Sequence, residues 1–480
     1  MPRNAMVVGP RDLVTGLITA DPPHAIPDGA AQISQNVDYA RVRGRIAKRR
    51  GIAVNQAELA GGNPVSTLYQ YKKSSGTDLL MAAANNDVYS VSAGTWTSKY
   101  TGAMAGANVE FATFEDTLIM VGATETTRKW DGVAASFSAL LGTPPANAKY
   151  IAVYKGRVWI ANHGGGKSRI NYCVEGNAED WTTAGQAGFY DIDPDDGDEI
   201  TGLIAADNAL YIFKRRTVYM LIGWNPTNFE VRPVKRNYGC AEHRSLVNMG
   251  PFVIYLSDYG LHSLSTDKQG LLHPALEFDL RGLTKTGTQA TRYNDLYILA
   301  YDSDANGRND SAYVLDTLTG AWTRWTNINA RSWCLKLDNT LLSGGADNKT
   351  IVRQHDTTDN DEGVAIEMKW RSKKFGWGDI SAMKTLHEYF VYAKPIAGKT
   401  LTVRVRVDGV QVGSDKNVSL TARQRSGTDE DIKLIGESVP SGSHGRFVEI
   451  EFYNNETSAP IEIYEFQLHA DVSPPQKYAA

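Results

Sequence analysis

The stretch Thr201–Ser265 constrains the fold of this chain most, because it states one short pattern twice. It reads TGLIAADNALYIFKRRTVYMLIG and later SLVNMGPFVIYLSDYGLHSLS. In each half an apolar run leads to a polar turn, Asp207-Asn208 or Asp258-Tyr259-Gly260, and then to a second apolar run. Short apolar runs bounded by such turns are typical of antiparallel strands. A chain that repeats this meander is expected to build a radial or sandwiched all-β scaffold.

The same pattern recurs between about residue 64 and residue 356, where seven units of about 42 residues can be counted. Four-stranded propeller blades are about 40–50 residues long. The sequence therefore predicts an all-β fold with a β-propeller of about seven blades, and the spacing is compatible with six to eight. Several units end in a tryptophan that is expected to pack one blade against the next: Trp96, Trp130, Trp181 and Trp322.

The sequence changes character on both sides of these units. Residues 1–63 contain Pro22, Pro23 and Pro27, which favour an extended N-terminal arm with a basic hairpin. Beyond an acidic linker, LTVRVRVDGVQVG alternates apolar and polar residues around a hairpin turn at Asp408-Gly409. We therefore expect four parts: the arm over 1–63, the propeller over 64–360, a C-terminal β-sandwich over 364–472 and a tail over 473–480.

The composition excludes several classes of protein. The formal net charge of −4 over 480 residues does not call for a nucleic-acid or membrane partner. Cys173, Cys240 and Cys334 are odd in number and far apart, which favours buried, reduced thiols over a disulfide framework. The chain has no run of about 20 apolar residues and no apolar signal segment near its start, so it is expected to be made in the cytosol without membrane insertion.

A basic run follows the prolines and leaves two interpretations open. One is a solvated, twisted hairpin edge that turns at Arg43-Gly44. The other is a docking arm whose guanidinium groups meet carboxylates or phosphates of a partner. The cationic residues of this run, and thus the candidate docking residues, are Arg41, Arg43, Arg45, Lys48, Arg49 and Arg50.

One acidic loop of the sequence is a candidate metal site. In the loop Asp191–Glu199, the carboxylates of Asp193, Asp195 and Asp198 could present oxygens to Ca²⁺. Their register differs from that of an EF-hand, so a solvated acidic turn is favoured and a calcium site is the alternative. The sequence contains no GxSxG, HExxH, Walker A or CxxC motif. It therefore predicts no catalytic residue and no cofactor.

Residues 16–51 read GLITADPPHAIPDGAAQISQNVDYARVRGRIAKRRG. This segment resembles the opening of tail hub or nozzle proteins of short-tailed bacteriophages, in which the pattern "pxxLPdgAa…NvdY…G…kRpG" introduces a β-propeller. The repeat units after residue 200 are similar to the middle blades of that family, and the resemblance extends over roughly half of the chain. Arg49-Arg50 departs from the usual Arg-Pro of the family. The residues that fall on the pattern are Ile26, Pro27, Ala30, Asn36, Gly44, Arg50 and Gly51.

The resemblance implies a structural protein of the virion tail that is assembled in the cytoplasm of the bacterial host. A homohexameric ring would lie below the portal and adaptor, close the channel, let genomic DNA pass without sequence-specific binding, and carry fibres, spikes or a needle. A weakly negative protein suits such a channel, because a strongly basic wall would grip the phosphates. The alternative is a receptor- or glycan-binding tail propeller, and a glycan hydrolase on a propeller is the third possibility.

Overall fold

A computed structural model shows a chain built almost entirely of strands. In the part of the chain that it describes, the helical elements are two 3-10 turns (His243–Ser245 and Pro274–Leu276) and one helix, α1 (Glu277–Gly282). No helix in this part is long and apolar enough to cross a membrane. The described residues are 5–10, 12–41, 44–59, 62–92, 94–101, 108–265, 269–272, 274–347, 349–422, 424–425, 428–429, 432–440 and 443–473.

The N-terminal segment and the repeat units supply the strands of the first three quarters of the chain. The N-terminal strands are β1 (Ala5–Val8), β2 (Gly16–Leu17), β3 (Ala30–Gln35), β4 (Val37–Asp38), β5 (Ile46–Lys48) and β6 (Ile52–Leu59). Blade one comprises β7 (Thr67–Lys72), β8 (Asp78–Ala84), β9 (Asp87–Ser92) and β10 (Thr95–Tyr100), and blade two comprises β11 (Val109–Phe114), β12 (Thr117–Gly122), β13 (Arg128–Trp130) and β14 (Ser138–Ala139). Blade three comprises β15 (Tyr150–Tyr154), β16 (Arg157–His163), β17 (Gly166–Tyr172) and β18 (Gly188–Asp191), and blade four comprises β19 (Ile200–Ala206), β20 (Ala209–Lys214), β21 (Thr217–Ile222) and β22 (Glu230–Arg236). Blade five comprises β23 (Val247–Asn248), β24 (Val253–Ser257), β25 (Gly260–Leu264) and β26 (Gln269–Leu271). Blade six comprises β27 (Gln289–Tyr293), β28 (Leu296–Tyr301), β29 (Ser311–Asp316) and β30 (Trp322–Thr326). The last repeat unit supplies β31 (Ala330–Leu335), β32 (Leu341–Gly345) and β33 (Thr350–His355) to blade seven.

These strands form a closed propeller of seven blades. Six antiparallel sheets of four strands stand alone, and a seventh four-stranded unit, β27–β30, is part of a larger sheet. The inner strands follow one another around the axis, and β31 of the last blade contacts β7 of the first. Two-residue turns with positive φ, such as Asp207 (48°) and Asn208 (59°), set the twist of the hairpins. The all-β propeller predicted from the repeat is confirmed.

The seventh blade is completed by a strand from the predicted arm. The last repeat unit supplies only β31, β32 and β33, and β6 takes the fourth position by pairing antiparallel with β33, for example Ile52 with His355. The propeller therefore includes residues 52–59, which the sequence assigns to the arm. Because a strand that precedes the first blade completes the last one, the ring closes without a free strand edge between these two blades.

The blade-closing tryptophans occupy the positions that the repeat predicts. Trp130 and Trp322 are almost fully buried, and Trp181 is 8% exposed. Each of these three belongs to an apolar cluster shared by two neighbouring blades. Trp96 is half-buried, and its indole N–H donates to the carbonyl of Ala57 in β6. These aromatics hold adjoining blades together by burying apolar surface.

The C-terminal strands form a sandwich that shares a sheet with the propeller. One sheet has the order β4-β5-β44-β35-β41, and the other runs on from blade six in the order β30-β3-β34-β43-β36-β37. The faces pack through aromatic side chains that include Trp370, Phe452 and Phe466. Here the strands are β34 (Met368–Ser372), β35 (Met383–Ala393), β36 (Thr400–Val407), β37 (Val410–Gln411), β38 (Lys416–Ser419), β39 (Gln424–Arg425), β40 (Thr428–Asp429), β41 (Lys433–Ser438), β42 (His444–Gly445), β43 (Val448–Asn454) and β44 (Glu462–Ser473). The predicted sandwich is thus present, and β3 joins it to the propeller.

A buried carboxylate makes the stability of the sandwich sensitive to acid. Glu451 in β43 is fully buried and accepts hydrogen bonds from Arg371 Nε at 2.6 Å and Arg404 Nη1 at 2.9 Å. Burial opposes its charge, but the bonds from Arg404 and Arg371 outweigh burial and hold the pKa of Glu451 below its usual value.

Glu451→Gln is expected to cost about 2 kcal/mol of stability at neutral pH, because two guanidinium groups lose their charged partner. A depressed folded-state pKa means that the stabilisation is complete above the unfolded-state pKa of about 4.3 and is lost as the pH falls through the folded-state value. The difference between wild type and variant should therefore shrink below about pH 4. Urea unfolding curves at pH 7 and pH 3 measure it, and an equal difference at both values would contradict the assignment.

Candidate docking site on the N-terminal arm

The predicted basic hairpin exists, and two of its cationic residues are buried within the protein. β4 pairs antiparallel with β5, Val37 opposite Lys48 and Asp38 opposite Ala47. Lys48 and Arg49 are only 1% and 2% exposed. Their side chains therefore have no surface to offer to a partner, and the docking role predicted for them does not hold. Charged side chains are rarely buried unless they are paired, and both of these have internal partners.

Arg49 clamps the arm to the propeller and to the linker before the sandwich. Its Nη1 and Nη2 donate to the two carboxylate oxygens of Asp361 at 2.9 and 2.5 Å. Nε donates to Asn36 Oδ1 at 2.8 Å, and the remaining bonds go to the carbonyls of Thr326 and Arg50. Such a bidentate pair fixes geometry as well as charge.

Lys48 is held by neutral oxygens. Its Nζ donates to Asn454 Oδ1 at 2.8 Å and to the carbonyl of Glu456 at 2.9 Å. Burial, with the nearby positive charge of Arg49, lowers the pKa of Lys48 to about 8. This amine therefore loses its proton at a lower pH than an exposed lysine.

The other candidate residues leave part of the hairpin available to a partner. Arg41 is exposed, and Arg45 lies over the ring of Tyr464 with its guanidinium carbon 4.0 Å from the centroid. Arg50 is 3.8 Å from Asp356 and also donates to the carbonyl of Thr357. Arg43 lies outside the described residues. Docking through Arg41, Arg45 and Arg50 remains a prediction.

Two of these arginines line a cleft of about 480 Å³ between the hairpin and blade six. Arg41 and Arg50 face the turn that connects β27 to β28, and Leu318, which is 59% exposed, is an exposed apolar side chain of the cleft. The cleft has a surplus of carboxylates over guanidinium groups, so it suits a partner that presents cationic side chains. Its aspartates are Asp38, Asp295, Asp316 and Asp356.

Burial raises the pKa values of two side chains in this cleft, those of Asp38 and Tyr293. The pKa of Asp38 is raised, first by burial and to a smaller extent by the charge of Asp356, although the backbone N–H groups of Ala40 and Arg41 donate to its carboxylate. Tyr293 donates its hydroxyl to Asp356 at 2.6 Å, and burial together with this bond raises the pKa of the phenol. A cation entering the cleft would stabilise the ionised form of Asp38.

The propeller axis holds a second charged cluster that sequence reasoning does not find. Arg244, in the 3-10 turn before blade five, crosses to blades one and two on the opposite side of the ring. Its Nε lies 3.2 Å from Glu110 Oε1, Nη2 donates to Thr67 Oγ1 at 2.7 Å, and Nη1 donates to the carbonyl of Ser66. Arg244 therefore bridges the axis where the inner strands begin, beside a cavity of about 180 Å³. Nothing in the local sequence marks Arg244, because its partners lie more than a hundred residues away.

The acidic loop is tied down by internal donors. Asp193 Oδ2 accepts the hydroxyl of Tyr219 at 2.6 Å, and Asp198 Oδ2 accepts a backbone N–H at 2.9 Å. Lys214, which is fully buried, donates to Asp196 Oδ1 at 2.7 Å. The arrangement is that of a hydrogen-bonded acidic turn. Within the described ranges, no group of three or more His, Cys, Asp or Glu side chains is placed to hold a metal ion, so Asp193, Asp195 and Asp198 are not brought together as ligands.

The cysteines agree with the sequence-based expectation. Cys173, Cys240 and Cys334 are buried and free. Burial raises the pKa of Cys334 to about 12, which keeps its thiol protonated. Such thiols behave as small apolar side chains.

Strand pairing thus defines a seven-bladed propeller joined to a β-sandwich, and comparison with known proteins adds only distant likenesses. No protein-family model matches the chain, and no curated protein matches it. Among solved structures, it is similar to the computationally designed protein Ika8 (12% identity, TM-score 0.40, 63% of this chain and 100% of that one). It is also similar to the Pan2 WD40 domain of Neurospora crassa (9% identity, TM-score 0.42, 65% and 96%) and to a chain of a mitotic checkpoint complex (9% identity, TM-score 0.42, 63% and 94%). None of these likenesses bears on function.

Proposed function

We propose that this protein is a structural tail subunit of a short-tailed bacteriophage, a hub or nozzle protein whose copies form a hexameric ring below the portal and adaptor. The observation that carries the proposal is the position of residues 16–51. This segment bears the resemblance to the tail proteins, and its strands lock the propeller to the sandwich. A scaffold that transmits force between two domains needs such a joint.

The residues of the tail-protein pattern occupy positions that favour their residue types. Asn36 has a φ of 54°, and its Nδ2 donates to Thr326 Oγ1 and to the carbonyl of Glu367, both at 2.8 Å. Asparagine tolerates this left-handed conformation and supplies the bonds. At Gly51, a Cβ atom would lie 1.9 Å from the carbonyl oxygen of Asn360, so only glycine fits. The pattern thus describes the joint, which supports a shared architecture.

The bridge that Arg244 makes across the propeller axis determines the path of the DNA in this proposal. Arg244 and its partners occupy the centre of the propeller, so genomic DNA passes through the bore of the ring between copies. The formal net charge of −4 suits a wall along which phosphates slide. In this arrangement the acidic cleft beside Arg41 and Arg50 contacts a neighbouring copy or the adaptor, and fibres, spikes or a needle attach to the outer surface.

The test is negative-stain electron microscopy of the purified protein, alone and mixed with portal and adaptor proteins of a short-tailed phage. We expect hollow six-fold rings, at the latest after the adaptor is added. Leu318→Asp should weaken ring formation, because it places a charge in the acidic cleft. Leu337→Asp is the matched control, since Leu337 is also an exposed leucine (74%), in the turn between β31 and β32 of blade seven and outside the cleft. A monodisperse monomer that never joins the adaptor would exclude the hub role.

A second candidate is a tail propeller that binds a receptor or glycan. Exposed aromatics near blade five favour it: Tyr259 is 50% exposed and Phe278 66% exposed, and the rings of Tyr238 and Tyr259 are 5.5 Å apart. Aromatic faces of this kind suit the apolar faces of sugars. Binding on a glycan array that disappears in Tyr259→Ala, together with a failure to form rings, would favour this function over the hub.

A further inference from the structure

A lysine of the arm and an asparagine of the sandwich meet in a buried site that has the components of an amide exchange reaction. Lys48 ends β5, and Asn454 ends β43, 406 residues further along the chain. The two side chains are 1% and 2% exposed, and Nζ lies 2.8 Å from Oδ1. Water is excluded from both groups, so hydrolysis would not compete with a reaction between them.

The orientation of the Asn454 amide is fixed by three hydrogen bonds. Oδ1 accepts from Lys48 Nζ and, at 3.3 Å, from the backbone N–H of Glu456. Nδ2 donates to the carbonyl of Thr400 at 2.9 Å. Exchanging the two amide atoms would break all three bonds. The carbonyl is therefore polarised by two donors, and the N–H of Glu456 is placed where negative charge would develop on the oxygen.

The amine is suited to act as a nucleophile. Its two hydrogen bonds go to neutral oxygens, and burial lowers its pKa to about 8. An appreciable fraction is therefore unprotonated near neutral pH, which is the reactive form of an amine. Lys384 provides an internal comparison: it is also fully buried, but the acceptors of its Nζ among the described residues are backbone carbonyls, those of Asp379 and Ala382.

We propose that Lys48 and Asn454 form an intramolecular isopeptide bond. The unprotonated Nζ attacks Cγ of Asn454, the bond between Cγ and Nδ2 breaks, and the amine proton leaves with Nδ2 as ammonia. One primary amide and one amine thus become a secondary amide and ammonia, without oxidant or co-reactant. The carboxylate of Glu456 accepts the hydroxyl of Thr400, the residue whose carbonyl holds Nδ2, and its negative charge acts on Lys48.

The bond would tie the hairpin covalently to the sandwich. It closes a loop that contains the whole propeller, and long closed loops restrict the unfolded chain strongly. The arm could then not be pulled from the joint by force. The inference goes beyond the proposed tail function and does not depend on it, because a cross-linked monomer is possible whether or not copies assemble into rings.

Mass spectrometry of the full-length protein under denaturing conditions tests the proposal. We expect the wild-type chain, after incubation at pH 8, to weigh less than its sequence by one ammonia molecule. Protease digestion should release a branched peptide that joins Lys48 to Asn454. Lys48→Arg and Asn454→Leu should both have the full sequence mass, whereas Lys384→Arg, the matched control, should retain the loss.

Two results would overturn the proposal. The first is a wild-type chain that keeps its full sequence mass. The second is an ammonia loss that persists in Lys48→Arg, which would mean that an asparagine had cyclised on its own backbone. The branched peptide is sought in the wild type, so the test stands even if a variant folds poorly. Failure to form rings would leave the mass of the chain unaffected, so the two proposals fail independently.

Discussion

Arg49→Ala is expected to lower the free energy of unfolding by about 3–5 kcal/mol, because removing one partner of a buried ion pair leaves the other charge uncompensated. Asp361 is 4% exposed and would lose two hydrogen bonds at once. Asn36 and the carbonyl of Thr326 would each lose a donor. Because these groups belong to the arm, to blade six and to the linker, the substitution should weaken the contacts that connect the propeller to the sandwich.

Chemical denaturation followed by tryptophan fluorescence and by circular dichroism measures this effect. Arg41→Ala is the matched control, because Arg41 belongs to the same basic run but is exposed. Surface substitutions of this kind usually change stability by no more than about 0.5 kcal/mol. Arg49→Lys should recover only part of the loss, since an ammonium group cannot make the bidentate bond. Equal stabilities of Arg49→Ala and Arg41→Ala would contradict the role of Arg49 in holding the arm, the propeller and the linker together.

The contrast between Arg49 and Arg41 shows what a sequence of this kind can and cannot predict. The blades are predictable because each is local: period-two apolar runs and turn residues such as Asp207 and Asn208 stand next to each other in the chain. The pairing of β6 with β33 is not predictable in this way, because the two strands are about 300 residues apart. Only the missing fourth strand of the last unit hints at it.

The site was harder to predict than the fold for the same reason. Six cationic residues in one run suggest an exposed surface, since charged residues are rarely buried. The partners that bury Lys48 and Arg49, Asn454 and Asp361, lie in segments with no evident relation to the arm. The cleft likewise combines the hairpin with a turn of blade six and the linker. Composition alone cannot distinguish an exposed docking residue from a buried residue that holds two parts of the fold together.

Arg244→Ala is expected to cost about 3 kcal/mol, because one largely buried guanidinium joins three blades through charged and neutral acceptors. Arg244 is 11% exposed, and its loss would leave Glu110 and the carbonyl of Ser66 without their donor. The inner strands of blades one and two should then exchange amide hydrogens faster than those of blades six and seven. Thermal unfolding and hydrogen exchange measure the two effects.

Arg331→Ala provides the control at the same end of the axis. Among the described residues, Arg331 makes no hydrogen bond or ion pair, and burial together with the positive charge of Arg244 lowers its pKa. Removing it relieves the repulsion from Arg244, which is larger than the opposing attraction to Glu242, so stability should stay unchanged or rise slightly. A loss as large as that of Arg244→Ala would mean that the axis is held by the packing of long side chains. A loss confined to Arg244→Ala would assign the closure of the axis to the hydrogen bonds that Arg244 makes across the ring.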